Sequence, residues 1–188
     1  SWKDYLRFHA IHDFADVLPR AFAEQALALR AATGAGPQPS RAERALVATQ
    51  TAMRNALGRM YAERYFPAGQ KARVERISDN VRAALINRVD AAAWMSPATK
   101  ASALSKLQTL YVGIGYPDQW EDDSSLPVDP ADPLGNLRRV SDRAYRNAVA
   151  QLGQPVNLKY WSISPTTVGA LLVFQQNAYV MSAALLDP

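Results

Sequence analysis

The sequence predicts a mainly α-helical fold: a multi-helical domain with a short β-hairpin at the C-terminal end. Three observations carry this reading. Apolar residues recur at helical spacing in six stretches between residues 2 and 152. Capping and proline signals punctuate those stretches at Ser40, at Ser96-Pro97 and at Gly153-Gln154-Pro155. Residues 166–181 then turn apolar and β-prone, interrupted by polar Gln175-Gln176-Asn177, as two strands joined by a turn would be.

Residues 2–31 read as two helices. Trp2, Tyr5, Leu6 and His9 share one spacing, Phe14, Val17 and Leu18 lead to Pro19, and Phe22, Ala26 and Leu29 continue on a second face. Thr33-Gly34-Ala35-Gly36-Pro37-Gln38-Pro39 is a loop by composition. Ser40 with Glu43 forms a capping box that opens a third helix. Its stripe of Leu46, Thr49, Met53, Leu57 and Met60 runs unbroken to Phe66-Pro67. The fourth helix, 69–90, is expected to bury Val74, Ile77, Val81, Leu85 and Val89 and to expose its arginines. Ser96 caps the fifth, Pro97 occupies its first turn, and Ala101, Leu104 and Leu107 form its inner face. Residues 111–117 are β-branched, aromatic and glycine-bearing, a brief extended segment. The sixth helix, 134–152, turns Leu137, Val140, Ala144, Val149 and Leu152 inward. A lone hairpin is marginal in water, so the strands within 166–181 should join a larger sheet, and the fold is expected to continue past Pro188. The missing initiator Met likewise suggests that something preceded Ser1.

Composition excludes several classes of protein. At 188 residues and 48% hydrophobic, the chain has the apolar material for a compact core and is not disordered. With no cysteine it holds no disulfide scaffold, no thiolate zinc site and no thiol nucleophile. No run reaches the roughly 18–20 apolar residues of a membrane span, and the first residues lack the apolar core of a signal peptide. The formal net charge of +4 is mild. Residues 41–88 are richer in basic than in acidic side chains, without the dense cationic and aromatic patch of a nucleic-acid surface, so no nucleic-acid partner is expected.

Complete active centres are missing from the pattern. His9 and His12 lie three apart on the first helix, but a zinc site needs three or four ligands and the sequence nominates two. The acids Asp118, Glu121, Asp122, Asp123, Asp129 and Asp132 lack the ligand order and central glycine of a calcium loop and read as a solvated linker. No serine sits in a nucleophile elbow, and Gly113-Ile114-Gly115 is not followed by a helix. One physical possibility remains, a β-edge starting near Val168 that accepts an extended peptide by strand addition; the alternative is that the hairpin is interior sheet.

Several ordered segments carry a resemblance. They are Trp2-Lys3-Asp4-Tyr5-Leu6; Leu57-Gly58-Arg59-Met60-Tyr61 with Tyr65-Phe66-Pro67; Trp94-Met95-Ser96 with Lys100 through Leu107; Ile114-Gly115-Tyr116-Pro117; Val156 and Trp161; and Ala183-Ala184-Leu185-Leu186-Asp187-Pro188. Together they resemble the neprilysin and endothelin-converting-enzyme family of zinc metalloendopeptidases. The resemblance implies a helical domain that caps a thermolysin-like catalytic domain, the two enclosing a chamber for peptides of limited size. It assigns residues 1–120 to the later part of the helical domain, 121–133 to an acidic linker, and 134–188 to the start of the catalytic domain. The family's H-E-x-x-H helix, third zinc ligand and transition-state-stabilising His fall downstream of this chain. Catalytic and metal residues here are therefore expected to be none, with zinc bound only in the complete parent protein. The implied partners are peptide substrates and the remainder of the catalytic domain.

One family motif falls inside the chain, an Asn-Ala pair plus an aromatic on a substrate-binding edge strand. Aligned from Ala183-Ala184-Leu185-Leu186 it lands on Gly169, Ala170 and Leu171, so Ala is kept while Gly replaces Asn and Leu replaces the aromatic. A literal Asn177-Ala178-Tyr179 lies eight residues later, out of that register. Losing the Asn amide implies weaker or altered peptide binding, or a non-catalytic helical binding module. The cysteine-free composition fits exported bacterial members better than disulfide-bonded animal ones.

Overall fold

The computed structural model describes residues 1–34 and 39–187, so most of the loop expected between Thr33 and Pro39 lies outside the described residues. The elements in chain order are α1 (Trp2–Asp13), a 3-10 turn (Ala15–Val17), α2 (Arg20–Ala32), α3 (Arg41–Ala52), α4 (Arg54–Tyr65), α5 (Ala68–Ala91) and α6 (Pro97–Thr109). There follow β1 (Tyr111–Gly115), α7 (Pro133–Ala150), β2 (Ala170–Val173), a 3-10 turn (Phe174–Gln176), β3 (Ala178–Ser182) and α8 (Ala183–Leu186). The mainly helical fold with a C-terminal hairpin is as expected. By contacts the chain forms two compact units, Ser1–Met53 with Asp123–Gln154, and Arg54–Asp122 with Pro155–Pro188.

In the first unit, Ser40 caps α3 as anticipated. Its Oγ accepts from Glu43 N at 3.2 Å, and Glu43 Oε2 accepts from Ser40 N at 2.6 Å. Arg44, 17% exposed, pairs with Asp16 at 2.8 Å and donates to the Pro39 carbonyl. Most acids of the acidic segment are exposed, and two of them have partners on α7. Asp123 pairs with Arg143 of α7 at 2.6 Å, and Asp132 Oδ1 accepts from Gly135 N to cap that helix.

The second unit is built around a three-stranded sheet of order β1-β3-β2. The hairpin strands pair antiparallel, Leu171 opposite Val180, while β1 runs parallel to β3 with Tyr111 opposite Ala178. The extended segment at 111–115 thus supplies the partner strand that the hairpin needed. Phe66, Ile114 and Ala183 are buried together, with Tyr61, Val74 and Met181 packed around them. Gly115 adopts φ +74°, and a Cβ there would overlap the edge of the Phe66 ring. Lys71 of α5 reaches the end of this strand, donating to Tyr116 O at 3.0 Å and Asp118 Oδ1 at 2.7 Å. Its ammonium also lies 4.4 Å from the Tyr116 ring centroid.

Three expectations are corrected. The helix expected from Ser40 to Phe66 is two helices, broken at Met53, where φ and ψ are −117° and 34°. Leu46 and Met60 of its supposed inner stripe are exposed. The inner face of α4 is instead Gly58, Ala62 and the following Phe66, four residues apart. Small side chains there permit close approach, since a Cβ on Gly58 would stand 2.8 Å from Pro165 Cδ.

On α5, Val74 and Val89 are half-buried as expected, Ile77, Val81 and Leu85 face outward, and Lys71, Ser78, Arg82 and Ile86 share the inner side. Arg82 is only half-exposed and donates to the Leu110 carbonyl at 3.0 Å, so polar groups take part of the face expected to be aliphatic. On α6, Leu104 and Leu107 are half-buried but Ala101 is exposed; on α7, Leu137 and Val140 are half-buried while Ala144 and Val149 are exposed, as is Leu152 just past its end.

Two predictions follow from this packing. Gly153→Ala has only its positive φ to overcome, because no atom crowds the new methyl, and is expected to cost about 1 kcal/mol. Gly115→Ala must also displace Phe66, for a total of about 2–4 kcal/mol. Urea unfolding of the two variants measures the difference, and equal losses would mean that Phe66 has room to move. The second prediction concerns Glu43, whose carboxyl is held below its ordinary value of 4.5 by the hydrogen bonds from Ser40. A lowered carboxyl contributes stability above its unfolded value and loses it as pH falls through the folded one. Helicity of the native chain, followed by circular dichroism from about pH 5 to pH 3, should therefore fall more than that of Glu43→Gln, whose amide oxygen accepts at every pH.

Candidate functional site

Gly169 immediately precedes β2, and Ala170 and Leu171 open that strand, which is the outermost of the sheet on its side. The Gly169 carbonyl accepts from Ser182 N at 3.1 Å and from Ser182 Oγ at 2.8 Å, and Gly169 N donates to Ser182 Oγ at 3.3 Å. Main-chain groups of an antiparallel strand alternate in direction. With Gly169 facing β3, Leu171 and Val173 face it too, and Ala170 and Leu172 direct their N–H and C=O groups to the open side. Residues 168–173 are Val-Gly-Ala-Leu-Leu-Val and carry no ionisable side chain. Such an edge can hold an extended chain by main-chain hydrogen bonds, and it has no group with which to move a proton.

Nothing steric demands glycine at 169. Its backbone lies outside the left-handed region, and a Cβ would rest 3.4 Å from Ile163 Cδ1, an ordinary contact. A Cβ is therefore tolerated there.

The literal Asn177-Ala178-Tyr179 sits differently. Asn177 takes a left-handed conformation, φ 48° and ψ 53°, at the hairpin turn. Its Nδ2 donates to Lys106 O at 2.9 Å and to Thr109 Oγ1 at 3.1 Å, and its carbonyl accepts from Tyr111 N. Ala178 and Tyr179 lie on the central strand, paired on both sides. Asn177 therefore ties the turn to the end of α6, and the three residues have no open edge to offer.

Among the described residues no group of three or more His, Cys, Asp or Glu gathers as metal ligands would. His9 packs on Tyr5, with ring centroids 4.3 Å apart, and His12 stacks on Phe8. Asp118 and Asp123 are engaged by Lys71 and Arg143. The residues present do not fit a zinc ion. No described helix is long and apolar enough to cross a membrane.

Sequence reasoning missed Ser182. It is fully buried and continues the inward positions Ala178 and Val180 of β3. That alternation was the available signal, because a polar residue in a core position must find hydrogen-bond partners.

Comparison with known proteins places this architecture. The model of peptidase family M13 matches residues 1–117. Over 139 residues the chain is 27% identical to endothelin-converting enzyme-like 1 of Rattus norvegicus, covering 71% of this chain and 18% of that protein. It is 27% identical over 188 residues to the neutral endopeptidase of Lactobacillus helveticus, covering 98% of this chain and 29% of that one. The crystal structure of the Mycobacterium tuberculosis zinc metalloprotease ZMP1 in complex with an inhibitor matches the whole chain with a TM-score of 0.84 and 32% identity, over 28% of its own length. That of PEPO from Lactobacillus rhamnosis HN001 gives 0.82 and 26%, covering 94% of this chain and 29% of that one. This chain thus spans less than a third of each of these proteins. Its fold is that of the neprilysin and endothelin-converting-enzyme class of metalloendopeptidases. Specifically, the chain belongs to peptidase family M13.

The bracket at Asn177 makes a prediction. Asn177→Ala loses two side-chain hydrogen bonds and strains a left-handed position, at an expected cost of about 2–3 kcal/mol. Asn177→Gly loses the bonds but not the backbone freedom and should cost less. Urea unfolding separates the two effects, and equal losses would mean that the left-handed backbone contributes nothing.

Proposed function

We propose that this chain is the chamber-forming part and substrate-binding edge strand of a zinc-dependent endopeptidase that cleaves peptides of limited size. The carrying observation is the open side of β2, where Ala170 and Leu172 present unpaired main-chain groups within a member of family M13. Gly169, Ala170 and Leu171 are the residues that meet the peptide, Ala170 through its main chain. In this reading residues 1–120 belong to the helical domain, 121–133 are the acidic linker and 134–188 open the catalytic domain. The family-model match to residues 1–117 supports that boundary. Zinc and its chemistry belong to residues outside this chain, and the partners are peptide substrates and the rest of the catalytic domain. An exported bacterial setting is part of the same proposal, supported by the bacterial relatives and the absence of cysteine.

A second reading, a non-catalytic peptide- or protein-binding module, is favoured by one observation. Gly169 stands where the family motif has Asn, although a Cβ at this position meets only an ordinary contact.

The discriminating experiment measures zinc content and peptide cleavage in the complete protein and in this chain alone. The endopeptidase reading expects stoichiometric zinc and cleavage in the complete protein, and neither in the chain; peptide binding without cleavage would establish the second reading. In the complete protein, Gly169→Asn should tighten peptide binding about 2- to 12-fold, one recovered hydrogen bond. Unchanged affinity would remove residue 169 from the substrate site.

A further inference from the structure

We infer that Ser182 is a positioning residue for the peptide-binding edge, its hydroxyl fixing the point where the edge begins and the direction in which position 169 faces a bound peptide. The inference rests on the edge-strand reading above. Among the described residues Ser182 is the one buried polar side chain, with no solvent exposure. It ends β3 and is the N-cap residue of α8, at the point where the strand ladder gives way to the helix. In a regular antiparallel pair Gly169 N would donate to the Ser182 carbonyl. It donates to Ser182 Oγ instead, and the same hydroxyl reaches the carbonyls of Gly169 and Thr167. Its one proton is shared between the two carbonyls and one of its lone pairs accepts from Gly169 N, so every hydrogen bond of the hydroxyl goes to residues 167–169.

The side chain thereby extends the ladder one step beyond the last strand residue. It consumes the main chain of Gly169, leaves Ala170 as the first residue with free groups, and orients position 169 at the head of the open edge. Removing the hydroxyl takes away the bonds to Thr167 O and Gly169 N and leaves Gly169 tied to β3 by the Ser182 N–H alone, while the paired residues 170–173 remain.

The test is a double-mutant cycle in the complete protein. It reads Kd for a non-hydrolysable peptide analogue and, where cleavage occurs, KM and kcat. With Ser182 in place, Gly169→Asn tightens binding about 2- to 12-fold. In the Ser182→Ala background that gain disappears, because the new amide no longer points at the peptide. Ser182→Ala alone weakens binding and raises KM several-fold with a smaller change in kcat, and Ser182→Thr, which keeps the hydroxyl, restores the gain. An equal gain in both backgrounds overturns the inference and leaves Ser182 a purely structural residue. No gain in either background removes residue 169 from the substrate site, and overturns this inference with it. If Ser182→Ala does not fold, Ser182→Cys, of similar volume and weak hydrogen bonding, takes its place in the cycle with the same outcomes.

Discussion

The second unit depends on one steric constraint, the closure of Phe66 over a strand end that has no side chain. Gly115 presents bare backbone to the ring, and Ile114 and Ala183 complete the enclosure. Burying a phenylalanine in this way stabilises the unit by about 2–3 kcal/mol relative to leaving the ring in water. It also registers the last turn of α4 against β1 and the start of α8. With β1 fixed, its parallel pairing with β3 is fixed, and β3 in turn places the β2 edge through Ser182. The candidate substrate edge is thus the last member of a chain of contacts that starts at an aromatic ring.

Local signals in the sequence were read correctly because they depend on near neighbours. The Ser40–Glu43 box, the Ser96 cap with Pro97 behind it, and the hairpin broken at Gln175-Gln176-Asn177 each involve residues a few positions apart. Burial was read less well. The search for large aliphatic residues selected Leu46 and Met60 as core and passed over Gly58 and Ala62, whose value is their smallness. The stripe on α5 was right only at Val74 and Val89, since Lys71 and Arg82 share the inner face and donate to the Tyr116 and Leu110 carbonyls. Ile77, Val81 and Leu85 satisfied the period but not the environment. The parallel strand β1 was visible as an extended segment, although its partner could not be named from a local window.

At the candidate site, the resemblance nominated Gly169, Ala170 and Leu171, and the sheet topology shows that they lie at the head of an outer strand. The strand is outermost, and its alternating main-chain directions separate residues occupied by β3 from those facing outward. Ser182 lay outside any motif, and its role appears only when the end of β3 and the start of α8 are seen together. Residues 168–173 are apolar and uncharged, which suits holding a chain through main-chain hydrogen bonds.

The bracket from Asn177 to Lys106 joins positions 71 residues apart in sequence, and the parallel strand pair beside it spans a similar distance. During synthesis, β1 emerges from the ribosome long before its partner exists, and all of α7 is made in between. The cost of closing so long a loop must be met before the sheet returns any favourable contact. The helices of the second unit can form as they appear, whereas its sheet must wait for nearly the whole segment. A ribosome stalled before Tyr179 would therefore hold a helical, sheetless intermediate with the Val112 and Ile114 strand unpaired, a species for chaperones to guard.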